Sequence, residues 1–247
     1  MFNKTTMTLK KLFPFIIILV LLSACKDEAQ PLEFETHYID TAYEANITAA
    51  YDTAKTDNAQ SAAINKNIED AILQTVNSSE NATSLEALLK NFNADYLKFK
   101  SDYPEVSEPI WELNIETELT YQSPEVITLA ISTYEFKGGA HGNDQITLLN
   151  IDPKTGKNLA IDAIINDQKG FTDLAKSEFI AAIEKNDDNT SIENYFFGKP
   201  FQLPKNIGFS DEGLILIYNV YEVASYDLGY TEFMISFEKA EPFLKRH

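Results

Sequence analysis

Two consecutive segments with β-strand character, separated by a four-residue turn, constrain the fold of this chain more than any other feature. In IWELNIETELTY (110–121) apolar and polar residues alternate, which is the pattern of a strand with one buried face. The turn QSPE leads into EVITLAISTYEF (125–136), which is apolar on both faces and therefore predicted to be a central strand. A third strand, DQITLLNI (144–151), follows a glycine-rich loop. Short connections between successive strands favour an antiparallel sheet.

Amphipathic helices are predicted on both sides of these strands, because apolar residues recur there at helical spacing. The first stripe contains Ile64, Ile68, Ala71, Ile72 and Val76, and the second contains Leu85, Leu88, Leu89, Phe92, Tyr96 and Phe99. Capping-box spacing precedes each stripe, at Asp57 with Gln60 and at Thr83 with Glu86. A third helix is predicted at about 170–185. We therefore predict an α+β fold in which an antiparallel β-sheet packs against two to three helices.

The first 24 residues have the layout of a bacterial secretory signal peptide. A lysine-containing start precedes the apolar run LFPFIIILVLLS, and LSAC, which ends at Cys25, resembles a lipobox. In signals of that kind the cysteine is acylated and becomes the first residue of the mature chain. We therefore expect a lipoprotein of the cell envelope, anchored by lipid to the outer membrane at its periplasmic face or at the cell surface. The residues KDE after Cys25 are either an acidic surface-export signal or an ordinary polar tether.

Four segments are predicted along the chain. They are a lipoprotein signal peptide (1–24), a tether (25–32), an N-terminal helical module with a leading strand (33–105) and a C-terminal α+β domain (106–247). Cys25 is the only cysteine, so no disulfide and no cysteine-based metal site is predicted. The stability of the exported domain must then come from its hydrophobic core.

The chain is strongly acidic. Its formal charge is −18, and removal of residues 1–24, which contain three lysines and no acidic residue, makes the mature chain −21. A surface of this charge repels nucleic acid and anionic lipid. It either attracts basic partners or keeps an exported protein soluble.

The loop EFKGGAHGND contains three glycines and a histidine within five residues. Gly138, Gly139 and Gly142 are predicted to give the backbone a special shape between two strands. His141 is either a structural residue that fixes the loop or a general base. A serine nucleophile elbow and a histidine cluster for zinc are both missing from the sequence, and no metal or other cofactor is predicted.

A second candidate is Glu222, in the segment YEVASY (221–226). A carboxylate between Tyr221 and Tyr226 either contacts a sugar or an amine, or forms buried hydrogen bonds. We expect His141 and Glu222 to lie at the same end of the sheet and to share a hydrogen-bond network with Tyr134 or Tyr226. The further candidates for binding or catalysis are Tyr134, Asp144 and Tyr226.

Three motifs resemble an uncharacterised bacterial domain family. They are YEFKGGAHGND, LLNIDPKTGKNLAIDAII and FSDEGLILIYNVYEVASYDLGYTEFMISFEKAEPFL. The family occurs in the extracellular region of RsiV-like anti-sigma factors and beside PdaC-like peptidoglycan deacetylase domains. The helix AAINKNIEDAI is also similar to the module that precedes this domain. We expect the domain to stand alone here on a lipid anchor.

The resemblance implies a non-catalytic binding or sensing domain at the cell envelope. Its expected ligands are peptidoglycan fragments or a basic envelope-targeting protein such as lysozyme. The alternative is a hydrolase of envelope glycans that uses His141 or Glu222, which would require a concave site holding both residues. The chain is thus more consistent with a binding protein than with an enzyme, and with no nucleic-acid partner.

Overall fold

The computed structural model describes residues 31–39, 41–55, 57–76, 82–105, 109–186 and 191–247. The predicted signal peptide, Cys25 and most of the tether lie outside the described residues. The strands are β1 (Phe34–Tyr38), β2 (Asn46–Ala54), β3 (Glu112–Gln122), β4 (Ile127–Phe136), β5 (Asn143–Ile151), β6 (Asn206–Phe209), β7 (Gly213–Tyr218) and β8 (Thr231–Ser236). The helices are α1 (Ala59–Thr75), α2 (Leu85–Asp102), α3 (Ile161–Ile164), α4 (Gln168–Asn186) and α5 (Phe237–Ala240).

Both N-terminal helices begin one residue later than the capping boxes predicted. Asn58 caps α1 by accepting a hydrogen bond from the Ser61 amide, and Ser84 caps α2 by accepting one from the Ala87 amide. Asparagine and serine are strong capping residues in their own right, so the neighbouring Asp57 and Thr83 are not used. The third helix, α4, covers the predicted range and extends it at both ends.

The larger sheet has the strand order β1-β2-β3-β4-β5, with β4 in the interior as predicted. All neighbouring strands are antiparallel except β2 and β3, which are parallel because α1 and α2 form the connection between them. One face of this sheet packs against α1 and α2 and forms the first hydrophobic core. Its fully buried members include Ile64, Ile68, Leu88, Leu113, Ile115, Leu129 and Ile131.

The second core lies between α4 and a smaller antiparallel sheet with the order β6-β7-β8. Phe179 of α4 is at its centre and is fully buried. Its ring lies 5.2–5.8 Å from five other aromatic rings, those of Tyr195, Phe196, Phe201, Tyr218 and Phe233. The pairs with Tyr195, Tyr218 and Phe233 are edge-to-face, which is favourable for aromatic rings, and the other two are tilted.

A β-bulge in β3 changes the side to which Tyr121 points. Leu119 pairs with Leu129, but Tyr121 pairs with the next residue, Thr128. The alternating pattern predicted Tyr121 on the same face as Trp111 and Leu113, and this was wrong because the bulge reverses the alternation. The ring of Tyr121 instead stacks on Phe209 in the second core, with the ring centres 5.4 Å apart.

Strand β6 crosses the larger sheet and joins the two sheets through side-chain hydrogen bonds. Asn150 of β5 donates to the carbonyl of Ile207 (2.7 Å), and Thr120 of β3 donates to the carbonyl of Phe209 (2.8 Å). Gly208 lies between these contacts, where a Cβ atom would come within 2.8 Å of the Thr128 methyl group. Glycine at this position therefore permits the close approach of the two sheets.

These observations confirm the predicted α+β class, with the strands arranged in two sheets. The larger sheet contains strands from both sides of the boundary predicted at 105/106. The apolar run that begins at Gly213 predicts a strand that continues to Val223, but strand β7 ends at Tyr218. Among the described residues, no helix combines the length and the apolar character needed to cross a membrane.

Candidate functional site

The glycine loop connects β4 to β5, and its three glycines have two different roles. Gly138 and Gly139 have φ angles of 87° and 106°, a region that residues with a side chain rarely adopt. Gly142 is buried, and a Cβ atom there would overlap the ring of Tyr134. The predicted special backbone shape therefore applies to the first two glycines, while the third makes room for the tyrosine.

His141 is exposed and packs against the ring of Tyr226. The two rings are stacked with their centres 3.8 Å apart and an angle of 21° between their planes. His141 Nδ1 lies 3.0 Å from the carbonyl oxygen of Gly142. A carbonyl only accepts hydrogen bonds, so Nδ1 is the donor and carries the proton in the neutral ring. Nε2 then has its lone pair free, and the hydroxyl of Tyr221 lies 3.5 Å from it.

Glu222 lies in the turn that follows β7, far from the glycine loop in the sequence. The amide of Asn219 donates to Glu222 Oε2 (2.9 Å), and the amide of Glu222 donates to the carbonyl of Asn219 (3.0 Å). Between them, Tyr221 has a φ angle of 67°. A left-handed conformation in a residue other than glycine costs about 1–3 kcal/mol and is concentrated at ligand sites.

His141 and Glu222 lie at the same end of the molecule, because Tyr221, which precedes Glu222 in the chain, approaches His141. The hydrogen bonds of the two side chains nevertheless remain separate. His141 bonds to the loop backbone and approaches Tyr221, whereas the carboxylate of Glu222 bonds to the Asn219 amide. Within the described residues the two side chains have no common hydrogen-bond partner. The shared network predicted from the sequence was therefore wrong, because the turn after β7 directs the carboxylate back to its own backbone.

Tyr134 and Asp144 face each other across β4 and β5 beneath this cluster. Burial raises the pKa of Asp144 above its ordinary value of 3.8. Burial also raises the pKa of Tyr134, with smaller contributions from Glu112, Asp144 and Tyr226. The floor of the site is thus a poorly solvated carboxyl group, Asp144, beside Tyr134, whose phenol is held in its protonated form.

We expect Asp144→Asn to raise the melting temperature at pH 7. The folded-state pKa of Asp144 is raised, so the ionised carboxylate destabilises the folded protein at neutral pH. The difference in melting temperature between Asp144→Asn and wild type should be largest above the folded-state pKa of Asp144. It should disappear as the pH falls below 3.8. Thermal unfolding of both proteins between pH 3 and 7 tests this. The exposed residue Asp211 supplies the control variant Asp211→Asn, and equal effects of the two substitutions would contradict the argument.

An open groove of about 370 Å³ continues from the tyrosines along the outer edge of β5. Its lining consists of Gln145, Thr147, Lys205, Asn206, Asn219, Val220, Tyr221 and Glu222. Glu222 lines the groove directly. His141 does not, but its Nε2 lies 3.5 Å from the hydroxyl of Tyr221, which does. Sequence reasoning missed Lys205, Gln145 and Asn219. The only signal for them was the position of Asn219 directly after an apolar strand, where asparagine favours a turn.

The surroundings of His141 do not resemble a metal centre or a catalytic dyad. Across the described ranges, no group of three histidine, cysteine, aspartate or glutamate side chains could hold a metal ion. The contacts of His141 are a backbone carbonyl and two tyrosines. The arrangement can stack on planar or apolar ligand faces and can accept a hydrogen bond at Nε2.

Two protein-family models match consecutive parts of the chain. Residues 38–144 match the family described as "Deacetylase PdaC", and residues 160–238 match the family described as "Protein of unknown function (DUF3298)". The chain therefore joins a PdaC-like segment to a DUF3298 segment, which confirms the resemblance seen in its sequence motifs. These matches indicate a domain related to the cell envelope.

Two solved structures with the same fold are bacterial proteins. A DUF3298 family member from Bacteroides fragilis is 20% identical, with 88% of this chain and 94% of that chain covered and a TM-score of 0.66. A DUF3298 family protein from Pseudomonas aeruginosa is also 20% identical, with 87% and 95% covered and a TM-score of 0.61. No curated protein matches the chain.

The candidate site is assembled from both matched segments. Tyr134, His141 and Gly142 belong to the PdaC-like segment, and Tyr221 and Tyr226 belong to the DUF3298 segment. The contacts between them are the His141–Tyr226 stack and the approach of Tyr226 and Tyr221 to the loop. The site thus exists only when the two segments pack together.

Proposed function

We propose that this chain is a lipoprotein of the cell envelope, held at the outer membrane through lipid on Cys25, which binds peptidoglycan fragments without cleaving them. The observation that carries the proposal is an exposed aromatic shelf beside a polar groove. The shelf consists of Tyr221, which is 55% exposed, and the stacked pair of His141 and Tyr226. Aromatic faces bind the apolar faces of sugar rings, and side-chain amides bind acetamido groups by hydrogen bonds.

The contacts of His141, which are a backbone carbonyl and two tyrosine side chains, support a role in binding by stacking and hydrogen bonding. The groove has the size and mixed lining of a small-ligand site, for which about 300–1,000 Å³ is usual. Its floor and walls are made by strands and by a turn with fixed hydrogen bonds, so little has to be ordered when a ligand binds.

Titration of the full chain in detergent with soluble peptidoglycan fragments tests the proposal. We expect Tyr221→Ala to weaken binding about tenfold or more, which corresponds to about 1.4 kcal/mol. Tyr38→Ala is the matched control, because Tyr38 is 77% exposed and lies on β1, at the opposite edge of the larger sheet. Equal affinity of wild type and Tyr221→Ala would exclude the shelf. Cleavage of the fragments by wild type but not by His141→Ala would replace binding by hydrolysis.

The lipid anchor has its own test. We expect Cys25→Ser to leave an unprocessed, unlipidated precursor, because the thiol is the group that accepts the lipid in a lipobox. Labelling with a palmitate analogue and gel mobility measure the outcome. Normal labelling and processing of Cys25→Ser would contradict the lipoprotein assignment.

The acidic surface favours a second candidate ligand, a basic protein such as lysozyme. The formal charge of −18 for the whole chain provides the attraction. Binding of a basic protein should weaken steeply as salt is added, since exposed charges are screened within about 10 Å at 0.1 M salt. Binding of uncharged glycan should change little, so a salt titration separates the two ligands.

A further inference from the structure

Opposite charges line the groove at the edge of β5 without neutralising each other. Lys205 precedes β6, and Glu222 follows β7; both side chains are exposed and both line the groove. The carboxylate of Glu222 accepts a hydrogen bond from the backbone amide of Asn219 (2.9 Å). In the described part of the chain neither Lys205 nor Glu222 forms an ion pair. A ligand in the groove can therefore meet a basic and an acidic side chain in one site.

The lining between the two charges consists of uncharged hydrogen-bonding groups whose orientation is fixed. Asn206 donates to the carbonyl of Ile146 (2.9 Å). Asn219 donates to the same carbonyl (2.9 Å) and accepts from the amide of Ile146 (2.8 Å). Gln145 and Thr147 complete this part of the groove. Carboxamides and hydroxyls held in this way are suited to the amide groups of a peptide.

We propose that this groove binds a short zwitterionic peptide, with the peptide carboxylate at Lys205 and its ammonium at Glu222. The inference rests on the proposed function and deepens it, because the peptide portion of a peptidoglycan fragment, with a carboxylate and a side-chain ammonium, would occupy the groove while the sugar lies on the aromatic shelf. A ligand with one sign of charge fits less well. Glu222 repels an anion such as phosphate, and Lys205 repels a simple cation. A volume of about 370 Å³ accommodates a short peptide rather than a folded partner.

Charge-blocked peptides test the proposal on the full chain. The probes are trialanine with free termini, its C-terminal amide and its N-acetyl derivative, each titrated by calorimetry or by NMR. We expect each blocked form to bind wild type about tenfold more weakly than the free peptide, because one charge contact is lost. Lys205→Gln should weaken binding of the free peptide by a similar factor, but it should not further weaken binding of the C-terminal amide. Glu222→Gln should weaken binding of the free peptide, but it should not further weaken binding of the N-acetyl form.

Controls come from charged residues outside the groove. Lys154→Gln and Glu125→Gln change exposed residues that line a different depression, near Arg246, and should leave all three affinities unchanged. Melting temperatures of the four variants establish that they are folded. Equal binding of free and blocked peptides to wild type would overturn the proposal, as would equal effects of Lys205→Gln on the free peptide and its amide.

The outcomes distinguish this inference from the proposed function. If Tyr221→Ala abolishes binding of peptidoglycan fragments while Lys205→Gln and Glu222→Gln leave it unchanged, the zwitterion site is wrong and the glycan shelf stands. If trialanine binds with the expected charge pattern and peptidoglycan fragments do not bind, the groove is a peptide site and the proposed function fails.

Discussion

Replacing Phe179 by alanine is expected to lower the free energy of unfolding by about 3–5 kcal/mol. The ring is fully buried at the centre of the second core and contacts five other aromatic rings. Its removal deletes apolar contacts and leaves a cavity that rigid aromatic neighbours cannot fill. For a chain of this size, each kcal/mol lowers the melting temperature by about 2–4 °C, so calorimetry should detect the change readily.

The control for this variant is Phe197→Ala. Phe197 is 64% exposed on the loop that follows α4, and its replacement should change stability by no more than about 0.5 kcal/mol. If Phe179→Ala melts at the wild-type temperature, the second core does not depend on this ring and the packing described above is wrong.

Gly142→Val is expected to destabilise the protein by about 1–3 kcal/mol and to weaken ligand binding at the same time. A Cβ atom at this position would overlap the ring of Tyr134, and a β-branched side chain adds further atoms at the same place. The loop would have to move, and its movement would separate His141 from Tyr226. Thermal unfolding and near-ultraviolet circular dichroism of the tyrosines measure the two effects.

A double mutant identifies the cause of the Gly142→Val effect. In a Tyr134→Ala background the clash is absent, so the added cost of Gly142→Val should be much smaller than in wild type. Ala140→Val is the matched control, because Ala140 is exposed in the same loop. Identical costs of Gly142→Val in both backgrounds would mean that the glycine is required for a reason other than Tyr134.

Local patterns predicted most elements because each element has its own repeat of apolar residues. The alternation in 110–121 predicted β3, and the doubly apolar run in 125–136 predicted the interior strand β4. The stripe around Phe179 predicted α4. These signals depend only on which face of an element is buried.

Contacts between distant elements could not be predicted from such patterns. The packing of the two sheets against each other depends on Gly208 and on Asn150, whose side-chain amide donates to a backbone carbonyl 57 positions away. In the sequence, both residues are typical of turns and loops. The bulge that redirects Tyr121 likewise has no glycine or proline to mark it.

The candidate site could be predicted only in part, because it also depends on contacts between distant elements. The glycine loop and the YEVASY segment were found from their composition, and the structure places His141 beside Tyr221 and Tyr226. Lys205 was missed because an exposed lysine in a loop has no pattern. The left-handed Tyr221 was missed because such a conformation normally selects glycine or asparagine.

The asparagines that join the two sheets also affect how copies of the protein behave when they are close together. β5 is the last strand of its sheet, and the free backbone groups of such a strand are a template for pairing with another molecule. At Ile146 both backbone groups are already bonded to carboxamides from the smaller sheet. Strand addition from another molecule would have to break these bonds first, so the carboxamides protect this edge of the sheet at Ile146 against intermolecular pairing.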